Sequence, residues 1–190
     1  MEPASIQGIL LGYVLPLAAI PPAAMLIGSQ LFGHSLLGVS WRPPLMGAIG
    51  MAIAQYVLSL VALFVLAMIV NALAPRFEGQ RDKLKAFKLA AYSATAGWVA
   101  GIFALIPGLS VLGILGLYSL YLLYVGVPLL MKVPEARALA YTIVIILAAA
   151  VLFLVAGAIA SPIARMTAPN AAEQFSGEVT LPGVGKVDVG

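Results

Sequence analysis

The apolar stretches of this sequence offer hydroxyls and amides as their only hydrogen-bonding side chains of note. Tyr118, Tyr121 and Tyr124 recur every third residue, with Ser119 beside them. Each step of three turns about 300° around a helix, so the rings form a slanting stripe. Tyr92, Ser93 and Thr95 lie on the stretch before it, and Gln55 and Asn71 on an earlier one. Such groups donate and accept hydrogen bonds and are poor proton-transfer groups near neutral pH. Two readings fit them. One is interhelical hydrogen bonding and interfacial anchoring. The other is a polar pocket for a lipid headgroup or small solute, built from Gln55, Tyr92, Ser93, Tyr118, Tyr121 and Tyr124.

The groups that are missing narrow the chemistry further. The long apolar blocks contain no Asp, Glu, Lys, Arg or His. Intramembrane charges mark proton relays, ion pathways and catalytic sites, so their absence argues against a proton-coupled transporter, an aspartyl or metal-dependent intramembrane protease and a histidine-ligated haem. His34, the sole histidine, has no acid or second ligand near it in sequence and reads as an interfacial loop residue. There is no cysteine, which excludes disulfides, zinc–thiolate sites and thiol catalysis. No glycine-rich phosphate loop is present. The expectation is a protein with no catalytic residue, no cofactor and no metal.

The elements that would position these residues are apolar helices. The chain is 63% hydrophobic and 9% charged, with mean hydropathy +1.09, against roughly a quarter charged in soluble domains. It reads as an integral membrane protein, and a net charge of +3 gives no reason to expect nucleic acid. Ala90 to Met131 is free of ionisable acids and bases and long enough for two bilayer spans at about 20 residues each. Its break falls at Ile106-Pro107-Gly108-Leu109, since proline disfavours helix in the residue before it and cannot donate a helical hydrogen bond. The fold expected is an all-α membrane protein, a bundle of five transmembrane helices over about 9–32, 45–74, 89–106, 109–131 and 139–163. Helices three and four form a tight hairpin at Pro107-Gly108, and Ser161-Pro162 closes the fifth. Its antiparallel legs place Tyr92 to Thr95 near Tyr124. The first eight residues show no signal-peptide pattern, so the first span is expected to be retained. Pro16 and Pro21-Pro22 kink it, and a broken helix of that kind can also frame a substrate site. The tail, 164–190, reads either as a small hairpin or as disorder.

Charge sets orientation. Arg76, Arg81, Lys83, Lys85, Lys88, Lys132 and Arg137 would share one face; Arg42, Arg165 and Lys186 the other. Seven against three puts the amino terminus in the cytoplasm and the tail outside. Arg81, Lys83, Lys85 and Lys88 open an amphipathic segment that can meet anionic headgroups. Small residues, Gly97 with Gly101, Gly113 with Gly116, and Gly157 before Ser161, allow close helix approach, within the bundle or at a dimer face.

The run AAYSATAGWVAGIFALIPGLSVLGILGLYSLYLLYVGVPLLM followed by KVPEARALAYTIV resembles the Yip (Ypt-interacting protein) domain family, in its bacterial branch. Tyr92-Ser93, Pro107, the run from Leu117 to Gly126 and Pro128-Leu129-Leu130-Met131 carry the likeness, strongly over 88–145 and more broadly over 8–163. It implies five spans, a cytoplasmic amino terminus and, from the bacterial branch, the inner (plasma) membrane. Family members often have proline where this chain has Ala96, and bacterial relatives tend to carry a short amphipathic segment before the first span. Eukaryotic members work in Golgi and endoplasmic-reticulum trafficking with Rab-type GTPases, a role not carried over to a chain with eight residues before its first span.

Two functions are expected to compete. The first is a non-enzymatic protein that organises or shapes membrane, with membrane lipids, copies of itself or other membrane proteins as partners. The second is a permease, channel or lipid-handling carrier with a pocket between its helices.

Overall fold

A computed structural model describes residues 5–36, 39–41, 43–167, 179–181 and 185–187. The described chain is helical, apart from two short antiparallel ladders, β1 (His34–Leu36) with β2 (Val39–Trp41) and β3 (Val179–Leu181) with β4 (Gly185–Val187). His34, read as a loop residue, stands opposite Trp41 in the first ladder. In the tail, where a small hairpin or disorder was expected, β3 and β4 pair, and residues 182–184 between them lie outside the described residues.

Five helical legs make the body. Leg one runs Ile6–Leu31 and leg two Leu45–Leu73, extended by a 3-10 turn over Ala74–Phe77. Leg three is an α-helix over Lys83–Ala100 that tightens to 3-10 geometry over Gly101–Leu105. Leg four begins as a 3-10 helix, Pro107–Leu117, and becomes α-helical over Tyr118–Met131. Leg five is the α-helix Glu135–Thr167. Among the described residues, four stretches are long and apolar enough to cross a membrane: Ile6–Leu31, Leu45–Phe77, Val111–Met131 and Glu135–Pro162. Leg three falls outside that group, because Lys83, Lys85 and Lys88 occupy its first two turns.

Each interruption has a local cause and a local remedy. In leg one, Pro16 cannot donate to the preceding turn, and a π-helical turn over Leu10–Val14 takes up the mismatch. The helix breaks again at Ala19, ahead of Pro21-Pro22; the Leu15 carbonyl freed there accepts the Tyr56 hydroxyl of leg two at 3.1 Å. Leg five was expected to close at Ser161-Pro162. It continues through Pro162 to Thr167 instead. Proline strips the Ala158 carbonyl of its helical donor, and the Ser161 hydroxyl replaces it at 3.0 Å. Between legs three and four the chain turns at Ile106, which is extended (φ −118°, ψ 117°) as a residue before proline should be.

Leg three is the innermost. Eight of its residues are buried, from Ala86 to Ala100, and it contributes to both apolar clusters of the core. One cluster gathers Val70, Leu89, Leu123, Val127, Met131 and Tyr141 near the lysine-bearing end. The other joins Val14, Ala18, Leu63, Ala67, Phe87 and Trp98. The Tyr141 hydroxyl donates to the Val70 carbonyl in the first cluster. Leg five lies outermost: in its most apolar window only 6% is buried, and Leu147, Val151, Phe153 and Leu154 face outward. In a soluble protein such a face would aggregate; here it meets lipid.

The legs approach through small residues, though only some of those expected take part. A Cβ on Gly116 would lie 3.4 Å from the Gly97 Cα, and the Gly97 amide donates to Ser119 Oγ at 2.9 Å. Any Cβ on Gly101 would sit 2.6 Å from the Pro21 ring. Gly113 and Gly157, also expected in seams, face open space. Their spacing is right for a seam, but no leg lies opposite. Gly28 and Gly126 are seam residues that spacing did not single out: a Cβ on Gly28 would lie 2.5 Å from the Leu105 carbonyl oxygen, and one on Gly126 equally close to Leu89 Cδ1.

Leg three starts at Asp82, whose carboxylate accepts from the amides of Leu84 (3.0 Å) and Lys85 (3.1 Å). The Lys85 amide hydrogen bond, with the Lys85 charge and the Leu84 amide behind it, holds the Asp82 pKa below the ordinary aspartate value despite some desolvation. A depressed carboxylate stabilises the fold above its unfolded pKa and loses that contribution as pH falls through its folded value. Amide exchange at Leu84 and Lys85 should therefore accelerate on acidification below the usual aspartate range, relative to an Asp82→Asn variant; parallel profiles for the two proteins would refute the cap. Separately, Gly28→Ala should cost about 1–3 kcal/mol, the range for overpacking against atoms that cannot move aside. Gly113→Ala should be neutral within about 0.5 kcal/mol. Unfolding midpoints in mixed detergent micelles measure both, and equal behaviour of the two variants would contradict the seam.

Candidate functional site

The polar side chains inside the bundle assemble around leg one rather than around the tyrosine stripe. Tyr13 sits in the π-helical turn, and its hydroxyl lies 2.7 Å from Thr95 Oγ1. Thr95 donates its single proton to the Ala91 carbonyl at 3.1 Å, so Tyr13 is the donor of the pair. Tyr92 meets Tyr13 edge to face, centroids 5.3 Å apart and planes at 86°. Tyr56, beside Gln55, reaches the Leu15 carbonyl, and Ser59 donates to the Tyr56 carbonyl at 2.8 Å. Tyr13 and Tyr56 were missed in the sequence. The signal for each was indirect: a hydroxyl within a turn of a proline, or one leg away from the carbonyl that the break leaves bare.

The stripe takes no part in this cluster. Tyr118, Tyr121 and Tyr124 are 55%, 56% and 44% exposed, and Tyr118 stacks on Tyr121 at 5.3 Å. Legs three and four are antiparallel, with Gly97 opposite Ser119 and Leu89 opposite Gly126, which sets Tyr92 at the level of Leu123 and Tyr124. The Tyr92 ring turns away from Tyr124, to Tyr13 on the other side. Ser93 is buried, and its Oγ has no hydrogen-bond partner among the described residues; the same holds for Asn71 Oδ1.

Gln55 stands elsewhere, in the wall of a cavity of about 500 Å³. Legs one, two, three and five enclose it, through Met25, Met51, Ala62, Trp98, Phe153 and Gly157 among others. Of the six polar residues expected to share a pocket, Gln55 alone lines this one. The wall is otherwise nearly all apolar, with Ser59 its other polar side chain apart from the Trp98 indole.

The basic residues collect at the other end of the legs. Arg81, Lys83, Lys85 and Lys88 begin leg three; Arg76 lies just before them, and Lys132 and Arg137 between legs four and five. Lys85 pairs with Asp82 at 3.5 Å and Arg137 with Glu78 at 2.9 Å, both pairs exposed. Arg76, Arg81, Lys83, Lys88 and Lys132 form no ion pair among the described residues. The two linkers lock together here. The Gln80 amide donates to the Met131 carbonyl at 2.9 Å, Gly79 packs against Val133, and Glu78 and Lys132 both adopt left-handed backbone (φ 60° and 52°) to make the fit. Among the described residues, with seven cations against Glu78, Asp82 and Glu135, this end carries a formal +4.

No group of three or more His, Asp or Glu side chains suited to a metal occurs among the described residues. The family model of the Yip1 domain matches residues 1–157. No curated protein and no solved structure matches. The family match spans most of the chain and coincides with the apolar legs, in keeping with the likeness first carried by Tyr92-Ser93, Pro107 and the Leu117–Gly126 run. The chain is an integral membrane protein and belongs to the Yip1 domain family.

Proposed function

We propose that this protein organises membrane without catalysing a reaction, engaging anionic lipid through one charged end and packing its apolar legs against copies of itself or other membrane proteins. The observation that carries the reading is the charge distribution. The +4 end gathers Arg81, Lys83 and Lys88 free of ion pairs among the described residues, while the interior of the bundle holds hydroxyls, the amides of Gln55 and Asn71 and apolar side chains. General acid–base chemistry needs a group that titrates near the working pH, and the bundle supplies none. The positive-inside bias puts the lysine end, and with it the amino terminus, in the cytoplasm of a plasma membrane. Leg three then crosses as a fifth span, its Lys83–Lys88 turns standing in the headgroup region.

A permease or lipid-handling carrier was the competing expectation. Its support in the tyrosine stripe falls away, because those rings face outward; what stands is the broken first leg and Gln55 in the cavity wall.

Each Lys or Arg near an anionic surface contributes about 1 kcal/mol, or roughly fivefold in local lipid enrichment. The triple variant Lys83→Gln, Lys85→Gln, Lys88→Gln, reconstituted in mixed bilayers, should therefore lose several-fold of the anionic lipid that co-purifies with the wild type. Raising the salt concentration should erode the wild-type enrichment in the same direction. Indistinguishable lipid profiles for the two proteins would remove the lipid half of the proposal.

A further inference from the structure

We infer that the cavity beside Gln55 is a seat for a single acyl chain of a membrane lipid, entered sideways from the bilayer. The inference rests on membership of the membrane and is independent of the lysine end.

Three observations lead to it. The first is composition. Ala62, Leu63, Ala94, Trp98, Ala156 and Gly157 give a wall in which Gln55 and Ser59 are the polar side chains besides the indole, and Ser59 is already committed to the Tyr56 carbonyl. Such a wall holds hydrocarbon and repels ions and sugars.

The second is shape. On leg two the wall extends from Met51 to Leu66, and on leg five from Ala149 to Ala160. At 1.5 Å per residue these are about 16–22 Å of height. A volume of about 500 Å³ drawn out over that height makes a long, narrow space, the shape of an extended hydrocarbon chain.

The third is access. Phe153 is 78% exposed and Met25 39% exposed, and both line the cavity. The cavity thus reaches the outer surface of the bundle, where the surrounding medium is lipid. Gln55 has no hydrogen-bond partner among the described residues, so its amide can meet an ester or hydroxyl that enters with the chain. Leaving such a group unpaired in hydrocarbon is costly.

Trp98 makes the seat measurable. It lines the cavity and is 8% exposed, and Trp41 is the other of two tryptophans. In a Trp41→Phe background, Trp98 reports alone. Reconstituted in phosphatidylcholine brominated at mid-chain, this protein should lose most of its emission relative to ordinary phosphatidylcholine. Gly157→Phe fills the cavity from a position where nothing lies within 4 Å of an added Cβ, so the fold has no reason to fail. It should restore most of the emission. Ala62→Phe fills the same space from the facing wall and takes its place if Gly157→Phe does not reconstitute. Unquenched Trp98 in the parent protein overturns the proposal. Equal quenching in parent and filled proteins also overturns it, because the bromine would then be acting from lipid outside the bundle. Emission that is unquenched but changes as the protein is diluted in the bilayer would give the cavity to a second copy instead, and likewise overturns it.

Discussion

Hydrocarbon offers a bare carbonyl nothing to bond, and the breaks in these helices must be closed from within the protein. That constraint accounts for where the hydroxyls are. Tyr56 covers Leu15 where leg one breaks ahead of Pro21-Pro22, and Ser161 covers Ala158 below Pro162; Tyr141 adds a second donor to the Val70 carbonyl, which the Ala74 amide already serves. Ser119 does the complementary task, accepting from the Gly97 amide across the leg three to leg four seam. The chain has 13 prolines in 190 residues, and at the breaks before Pro21-Pro22 and at Pro162 a hydroxyl takes up the carbonyl left bare. These hydroxyls let irregular helices survive where water is absent.

The same irregularity produces close packing and its gaps. The π-helical turn sets Tyr13 against Thr95 and Tyr92, and the bend at Ala19 brings Pro21 onto Gly101 and Gly28 onto the Leu105 carbonyl. Leg three is thereby gripped along most of its length, by leg one on one side and by leg four through Gly97, Gly116 and Gly126 on the other. Leg five is held mainly at its first turns, around Ala138, Tyr141 and Ile145. Farther along, where its small residues face legs one and two without closing on them, the cavity opens. Gly157 faces open space because no leg fills the place opposite.

Composition and periodicity carried the fold class a long way. Charge-free runs of span length can only be buried in lipid or protein, and the turn at Ile106 follows from the proline after it. Less legible was anything that depends on which way a helix is rotated. The stripe of Tyr118, Tyr121 and Tyr124 is a real stripe, but three residues per step says nothing about whether it looks inward, and it looks out. Gly113 and Gly157 share the spacing of seam glycines and lack the neighbour. Tyr13 and Gly28 matter through partners some 80 residues away in the chain, a relation no local pattern encodes. Proline misled once: Pro162 reads as a stop, and a single serine beside it converts the stop into a tolerated bend.

Leg three holds the account together, since the two apolar clusters and both glycine seams converge on it, and yet three lysines mark its start. On the proposed topology leg three crosses the bilayer, with the turn after Leu105 on the face opposite the lysines. The chain has no cysteine, so single-cysteine variants can be labelled from each side of a sealed membrane with an impermeant maleimide. Gln80→Cys should react only from the cytoplasmic side and Leu109→Cys only from the other. Labelling of Leu109→Cys from the cytoplasmic side, or from neither, would mean that leg three does not cross, and the five-leg bundle would have to be abandoned.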